Sequence, residues 1–420
     1  MTPERFRVWM ILPLGVASLI QMAYLWHIRG WYYHNGDATY YDLQAKFMSE
    51  GHMFVNPYLA AYGLALVPSA THPPVTTLVL TGADFLGFTS WGWHQVVMAA
   101  IFVVTVGICG VVGRRLVGPR AGIVVALVVA TDPYLWVNPG AVLAETVEML
   151  LIALLLWAAL RFWDRPRLRT AGEIGLYLGL AALTRAELIL FVFLIGLPLV
   201  LLCRGLTRGD RFKQLVVMGI VFVVVVGPWV GRNMVTFHHP EYLSTESGIT
   251  LATANCPQAY YGNTEGWWDH LCNSNVTFPG TADESDKDQV LRHIGLQYIE
   301  HHESRLVEVM GIRVLRSWNL YRPIQQSSFD TLDARPVWVT QSGMWYFYAL
   351  VPFAVAGGIF LRRRRLLLFP LVSLVITATV AAALFYANGR YRTEGDLGVA
   401  ILGAVGIEAL IRARWHPAPK

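Results

Sequence analysis

The stretch Val8–Trp26, VWMILPLGVASLIQMAYLW, sets the architecture. It carries no charge and is long enough to cross a bilayer as a helix. It is followed by Gly36-Asp37-Ala38-Thr39-Tyr40-Tyr41-Asp42, where two carboxylates stand just past its end. The pattern recurs along the 420 residues, which are 55% hydrophobic with a mean hydropathy of +0.45. Further runs fall at roughly 94–112, 121–137, 143–162, 173–184, 186–203, 214–231, 343–361, 366–386 and 396–412, with the first at 8–28. Apolar runs of about 17–22 residues cannot be strands of a soluble core, and lipid leaves the backbone no partner but itself. The chain therefore reads as an all-α polytopic membrane protein with about 10–11 membrane helices. Val8–Trp26 lacks a small-residue cleavage site, so it reads as a span rather than a signal peptide.

Basic clusters give the orientation. They lie at Arg114/Arg115, Arg161 to Arg169, Arg204 to Lys213, Arg362 to Arg365 and Arg412/Arg414. If all face the cytoplasm, ten spans close with both termini inside. The short apolar run 75–89 must then re-enter the membrane or lie in its surface, because a full crossing would turn every later cluster outward. The formal charge of +5 is what such topology needs and gives no case for nucleic acid. Three modules follow: 1–231 with an outer loop at 29–74, an outer segment 232–342, and the last spans in 343–420. The stretch 173–203 reads as a hairpin with Thr184-Arg185-Ala186-Glu187 at its tip, or as a short cytoplasmic helix before one span. A helix is expected over 38–50, stopped by Gly51. Another is expected over 283–318, amphipathic and lying on the outer membrane surface. Its Leu306, Met310, Val314 and Trp318 share one face, while Arg305, Glu308, Arg313 and Arg316 point elsewhere. Cys109 and Cys203 sit in or beside apolar runs. Cys256 and Cys272 share a polar loop, which suits a disulfide in an oxidising compartment.

The polar residues suggest chemistry at one membrane face. Asp37 fits a helix N-cap, with Thr39 and Asp42 as a capping box, and it equally fits a catalytic carboxylate. Glu145 and Glu148 open the span 143–162 on the same side, where the helix dipole favours them in any case. Converging carboxylates make a general base or hold a divalent metal ion, for which Asp37 and Glu145 are the candidates. Arg390-Tyr391-Arg392 occupies a short loop between the last two spans, where charge bias gives arginine no topological role. Paired guanidinium groups suit a phosphate, with Arg185 and Arg232 as further candidates and plain headgroup contact as the alternative. His34, His52, His72, His94, His238 and His239 show no metal-ligand spacing, and His72 is the one singled out. Without a P-loop or a Gly-rich dinucleotide turn, no soluble nucleotide cofactor is expected. A lipid or sugar flippase is the rival class, but the chain shows no internal repeat and gathers its acids at one face.

Taken in order, Gly36-Asp37-Ala38-Thr39-Tyr40-Tyr41, Asn56-Pro57-Tyr58, His72-Pro73-Pro74, Gly179 to Glu187, Pro228-Trp229-Val230-Gly231-Arg232-Asn233 and Arg390-Tyr391-Arg392 resemble the GT-C membrane glycosyltransferases. The branch resembled is that of protein O-mannosyltransferases and aminoarabinose transferases. The resemblance implies a GT-C fold in a bacterial cytoplasmic membrane, with its active site on the extracytoplasmic face. It implies transfer of a sugar from a polyprenyl-phosphate donor to a glycan, lipid or protein acceptor. It places the essential acid at Asp37 and a second one at Glu145. Arg185 and the Arg390/Arg392 pair would engage the lipid phosphate, and Asp42, His72, Glu187 and Tyr391 would line the substrate site. Ala186 departs from the Pro usual after Thr-Arg. Acceptor recognition would fall to the segment between Arg232 and Ser342. Physically, a polyprenyl phosphate leaves readily once cations hold its charge, whereas an acceptor hydroxyl needs a base or a metal. A single displacement would invert the anomeric centre.

Overall fold

The computed structural model describes residues 2–31 and 36–415; His34 lies outside the described residues. Among these residues the regular structure is helical, apart from one isolated bridge between Val55 and Pro68. Pro3–His27, Trp91–Val117, Glu145–Asp164, Arg208–Thr236 and Val337–Arg363 are long and apolar enough to cross a membrane. Pro119–Thr131 and Pro133–Ala141 are apolar enough together to be a sixth, and a 61° bend between them makes the pair a broken span or a re-entrant loop. The break has a local cause: Pro133 forces Asp132 into an extended backbone, and the Asp132 carboxylate then caps the next turn by accepting from Tyr134 N at 3.0 Å.

The ten apolar runs are all helical, yet four of them fall short of a span by length or composition. Leu168–Ala182, Ala186–Leu202 and Phe369–Leu384 are too short, and Thr393–Trp415 is too charged. The last keeps Glu394, Asp396 and Glu408 buried, each about 2% exposed, so its acids meet protein rather than lipid. The run at 75–89 forms the helix Val75–Phe85. Eleven residues rise about 16 Å, half a bilayer core, so this helix cannot cross alone. Its first amide donates to Leu183 O at 3.0 Å, tying it to the break between Leu168–Ala182 and Ala186–Leu202 that presents Arg185.

The segment between the spans ending at Thr236 and starting at Val337 folds into short helices. Glu284 anchors it to the first polar loop by accepting from Ala70 N and Thr71 Oγ1 at 2.8 and 3.3 Å. The expected continuous helix over 283–318 is two, Glu284–His301 and Glu303–Ser317. Its expected orientation is also corrected, because Arg313 and Arg316 are buried while Val307 is 75% exposed. The arginines turn inward to donate to groups that the neighbouring turns leave open. Arg313 reaches Asn255 Oδ1 at 3.0 Å, and Arg316 reaches Asn263 O and Gln325 Oε1 at 3.0 and 2.9 Å. Cys256 and Cys272 are joined in a disulfide in this segment, and Cys109 and Cys203 are free and buried.

Candidate functional site

Gly36 has φ +85°, a conformation that glycine adopts without a Cβ penalty, and it stands as the N-cap of the helix Asp37–Ser49. Asp37 is thus the first helical residue and not the cap, so its carboxylate is free for other partners. It takes two: Oδ2 meets the Arg390 guanidinium, and Oδ1 lies 3.4 Å from His72 Nε2. The other imidazole nitrogen, Nδ1, is 3.2 Å from Glu246 Oε2.

Arg390 is delivered by a built turn. Asn388 caps it, accepting from Arg390 N at 2.8 Å while its amide donates to Asp333 Oδ2 at 2.7 Å. Gly389 N donates to Asp330 Oδ1 at 3.1 Å, and a Cβ at this position would lie 2.4 Å from the other Asp330 oxygen. Only glycine lets the turn sit so close. The guanidinium then touches three carboxylates: Asp37, Glu145 with Nε 2.9 Å away, and Asp333 with Nη1 3.2 Å away. Glu145, in the first turn of its helix, also meets Arg185. Arg185 donates from Nε to Glu187 at 2.7 Å. The Tyr391 ring lies against both cations, 4.3 Å from the Arg185 carbon and 4.8 Å from that of Arg390.

Two cavities flank this cluster and share Asp37, Arg390 and Tyr391 as a wall. The larger, ≈ 170 Å³, adds Glu246, Trp268, Asp333 and Tyr386. The smaller, ≈ 70 Å³, adds His72, Glu145, Arg185 and Glu187. Burial would raise the Asp37 pKa, but the Arg390 guanidinium and His72 outweigh it and hold the carboxyl well below its usual range. For His72, burial would lower the value, yet the Glu246 and Asp37 carboxylates push it up to about 10. The metal pair expected from sequence does not fit: Arg390 already stands between Asp37 and Glu145. Asp37, His72 and Glu246 do offer one ligand atom each within 4.8 Å of one another, a set that would take a cation in exchange for the His72 proton.

Residues 71–230 match the family described as dolichyl-phosphate-mannose-protein mannosyltransferases. No curated protein matches the sequence. Among solved structures, the chain is similar over 100% of its length to the Archaeoglobus fulgidus oligosaccharyltransferase in its apo form. The identity is 12% and the TM-score 0.56, with 53% of that protein covered. Against the archaeal oligosaccharyltransferase AglB of the same organism, in complex with an inhibitory peptide and a dolichol-phosphate, the figures are 16% identity and a TM-score of 0.51. There the match covers 99% of this chain and 52% of that one. The fold is GT-C. The aminoarabinose transferase ArnT of Cupriavidus metallidurans, bound to undecaprenyl phosphate, is matched at 14% identity and a TM-score of 0.41, over 98% of this chain and 79% of that one. This chain spans about half the length of the oligosaccharyltransferases it matches.

Within the GT-C frame, Asp37, His72, Glu145, Arg185, Glu187, Arg390 and Tyr391 converge from four separate parts of the chain. Three expected residues do not join them. Asp42 is fully buried, receiving Lys46 Nζ at 2.8 Å and lying 2.8 Å from His94 Nδ1, and His94 Nε2 is 2.9 Å from Asp84; it is a packing link. Arg232 is spent on Ser69 O and Phe54 O at 3.0 and 3.2 Å. Arg392 points to the other side of its turn, into the bundle, where Asp396 and Ser317 O hold it at 3.1 and 2.9 Å. Sequence reasoning missed Glu246, Asp333, Trp268 and Tyr386. The pair Trp267-Trp268 in a polar loop was the visible signal; nothing in spacing separated Glu246 or Asp333 from the loop's other acids.

Proposed function

We propose that this chain is a membrane glycosyltransferase that moves a sugar from a polyprenyl-phosphate donor to a hydroxyl acceptor. The reaction takes place on the extracytoplasmic face of a bacterial cytoplasmic membrane. The observation that carries the reading is Arg390, which bridges Asp37 and Glu145 in the wall between two cavities. The smaller cavity, with Arg185 opposite Arg390, takes the donor phosphate. The larger opens to the acceptor, framed by the segment 232–342 set between the modules 1–231 and 343–420.

The acceptor oxygen attacks the anomeric carbon, and the bond from that carbon to the phosphate oxygen breaks. Its electron pair leaves with the polyprenyl phosphate, whose charge Arg185 and Arg390 meet. The acceptor proton passes to Asp37. In the resting cluster Asp37 is a poor base, because Arg390 and His72 stabilise its charge. A donor phosphate that draws the Arg390 donors to itself weakens that hold and raises the proton affinity of Asp37 at the moment it is needed. Attack opposite the leaving group inverts the anomeric centre. A divalent cation bound at Asp37, His72 and Glu246 would polarise the acceptor hydroxyl, and no step above passes through it.

The test is turnover by the purified chain in nanodiscs, with radiolabelled polyprenyl-phosphate hexoses and pentoses. Release of free sugar, or its transfer to added acceptors, is the expected result. If the chain breaks no bond in the labelled lipid and instead carries it intact across the bilayer of sealed proteoliposomes, the protein is a flippase.

A further inference from the structure

Four aromatic rings line one end of the site and take no part in the steps described above. In the larger cavity Trp268 stands edge-on to His270, ring centres 4.3 Å apart, and 5.9 Å from Tyr386. Tyr386 in turn lies 5.3 Å from Tyr391, its hydroxyl donating to that of Tyr391 at 2.8 Å. Among the described residues the buried Trp268 indole nitrogen has no hydrogen-bond partner. Around these rings the wall is mixed, with Asp37, Glu246, Asp333 and Thr250 beside Leu143, Ile249 and Leu332. Among the described residues Arg390 is the one guanidinium lining this cavity, and Arg185 lines the smaller cavity across the wall.

We propose that the larger cavity is an acceptor subsite for a saccharide, with a sugar ring seated against Trp268 and Tyr386 and a ring hydroxyl presented to Asp37. This rests on the reading of the chain as a glycosyltransferase and names the class of its acceptor. The argument has three parts. An inverting displacement needs nucleophile and leaving group on opposite sides of the reacting carbon. The two cavities lie on either side of the Asp37–Arg390 wall, and the one lined by both Arg185 and Arg390 is the place for the phosphate. A pyranose has an apolar face of C–H groups, which an aromatic ring covers, and a rim of hydroxyls that carboxylates and an indole N–H bind. Rings beside carboxylates match that two-sided chemistry. A peptide acceptor asks instead for backbone partners along an extended groove.

The experiment uses the full chain in nanodiscs with whichever labelled polyprenyl-phosphate sugar the wild type hydrolyses. Two rates are read: donor hydrolysis with no acceptor, and transfer to a short alkyl glycoside or to a threonine-bearing peptide. The wild type should glycosylate the glycoside and leave the peptide unmodified. Trp268→Ala should raise KM for the glycoside tenfold or more, while donor hydrolysis stays within twofold, which also certifies that the variant is folded. Trp268→Phe should recover most of the loss. Transfer to the peptide in preference to the glycoside would overturn the assignment. So would an equal fall of hydrolysis and transfer in Trp268→Ala together with a wild-type thermal midpoint, since that pattern places the donor sugar against the rings. A wild type that neither hydrolyses nor transfers any donor defeats the glycosyltransferase reading itself, a separate outcome.

Discussion

Arg390 and Arg392 are two residues apart, both buried against carboxylates, and their surroundings have opposite designs. Arg390 borders two cavities and shares Asp37, Glu145 and Asp333 among its donors. Arg392 lines neither of the two cavities that flank the Asp37–Arg390 pair. Its guanidinium is paired with Asp396, and the rings of Tyr134, Phe347 and Trp318 cover it at 4.5, 4.5 and 5.4 Å. Both side chains satisfy the rule that buried charge must be paired. Access is what separates them. A ligand can exchange with the partners of Arg390, whereas the aromatic cover of Arg392 leaves no room for one. A buried ion pair therefore marks a site only when a cavity reaches it.

The largest expected effect tests the closed side of that comparison. Arg392→Ala leaves Asp396 buried without its cation, and breaking such a pair costs about 3–5 kcal/mol. Thermal unfolding of the detergent-purified variant should show a marked fall in midpoint. Arg390→Ala should show a smaller one, because its acids border water-accessible space. A stable but inactive Arg392→Ala would return that residue to the phosphate site.

On the open side, Asp37→Asn removes the proton acceptor with almost no change in shape. Transfer should drop by about two orders of magnitude or more, the scale of general-base loss, with a smaller fall in unfolding midpoint than Arg392→Ala shows, because Arg390 keeps Glu145 and Asp333. Near-normal turnover would make Asp37 a mere partner of Arg390. Next in size, Arg390→Lys keeps the charge and loses the planar fork. Donor KM should rise by roughly tenfold while KM for the acceptor stays put. If Arg392→Lys produced the same kinetic change, the proposed division of labour between the two arginines would fail.

The helices were legible because apolar runs and their Pro and Gly stops are local signals: every run singled out in the sequence is helical. The number of full spans was not, since Leu168–Ala182 is too short for one and Thr393–Trp415 carries acids that it keeps inside the bundle. The site was legible where residues stood where topology gave them no reason to be, as with Arg185 and Arg390. It was illegible where the answer depended on which way a turn faces. Arg390 and Arg392 look alike in sequence, and only the Asn388–Asp333 and Gly389–Asp330 bonds aim one at the cavities and the other at the core. The same limit hid Arg313 and Arg316, whose helical spacing suits water and whose actual partners are distant loop groups.

The smallest expected effect concerns metal. Where a divalent ion would bridge Asp37 and Glu145, the Arg390 guanidinium already does so, and it supplies fixed positive charge without dissociating. The remaining set, Asp37, His72 and Glu246, must give up the His72 proton before it can bind a cation, and with a pKa of about 10 that proton is held throughout the neutral range. At pH 7 a metal therefore competes against both an arginine and a proton. Treatment with EDTA should leave transfer within about twofold, the difference of a group that takes no part in the rate-limiting step. A loss of tenfold or more that manganese restores, and that Glu246→Gln makes irreversible, would seat an ion beside Asp37 and transfer to it the activation of the acceptor hydroxyl that is assigned here to the carboxylate.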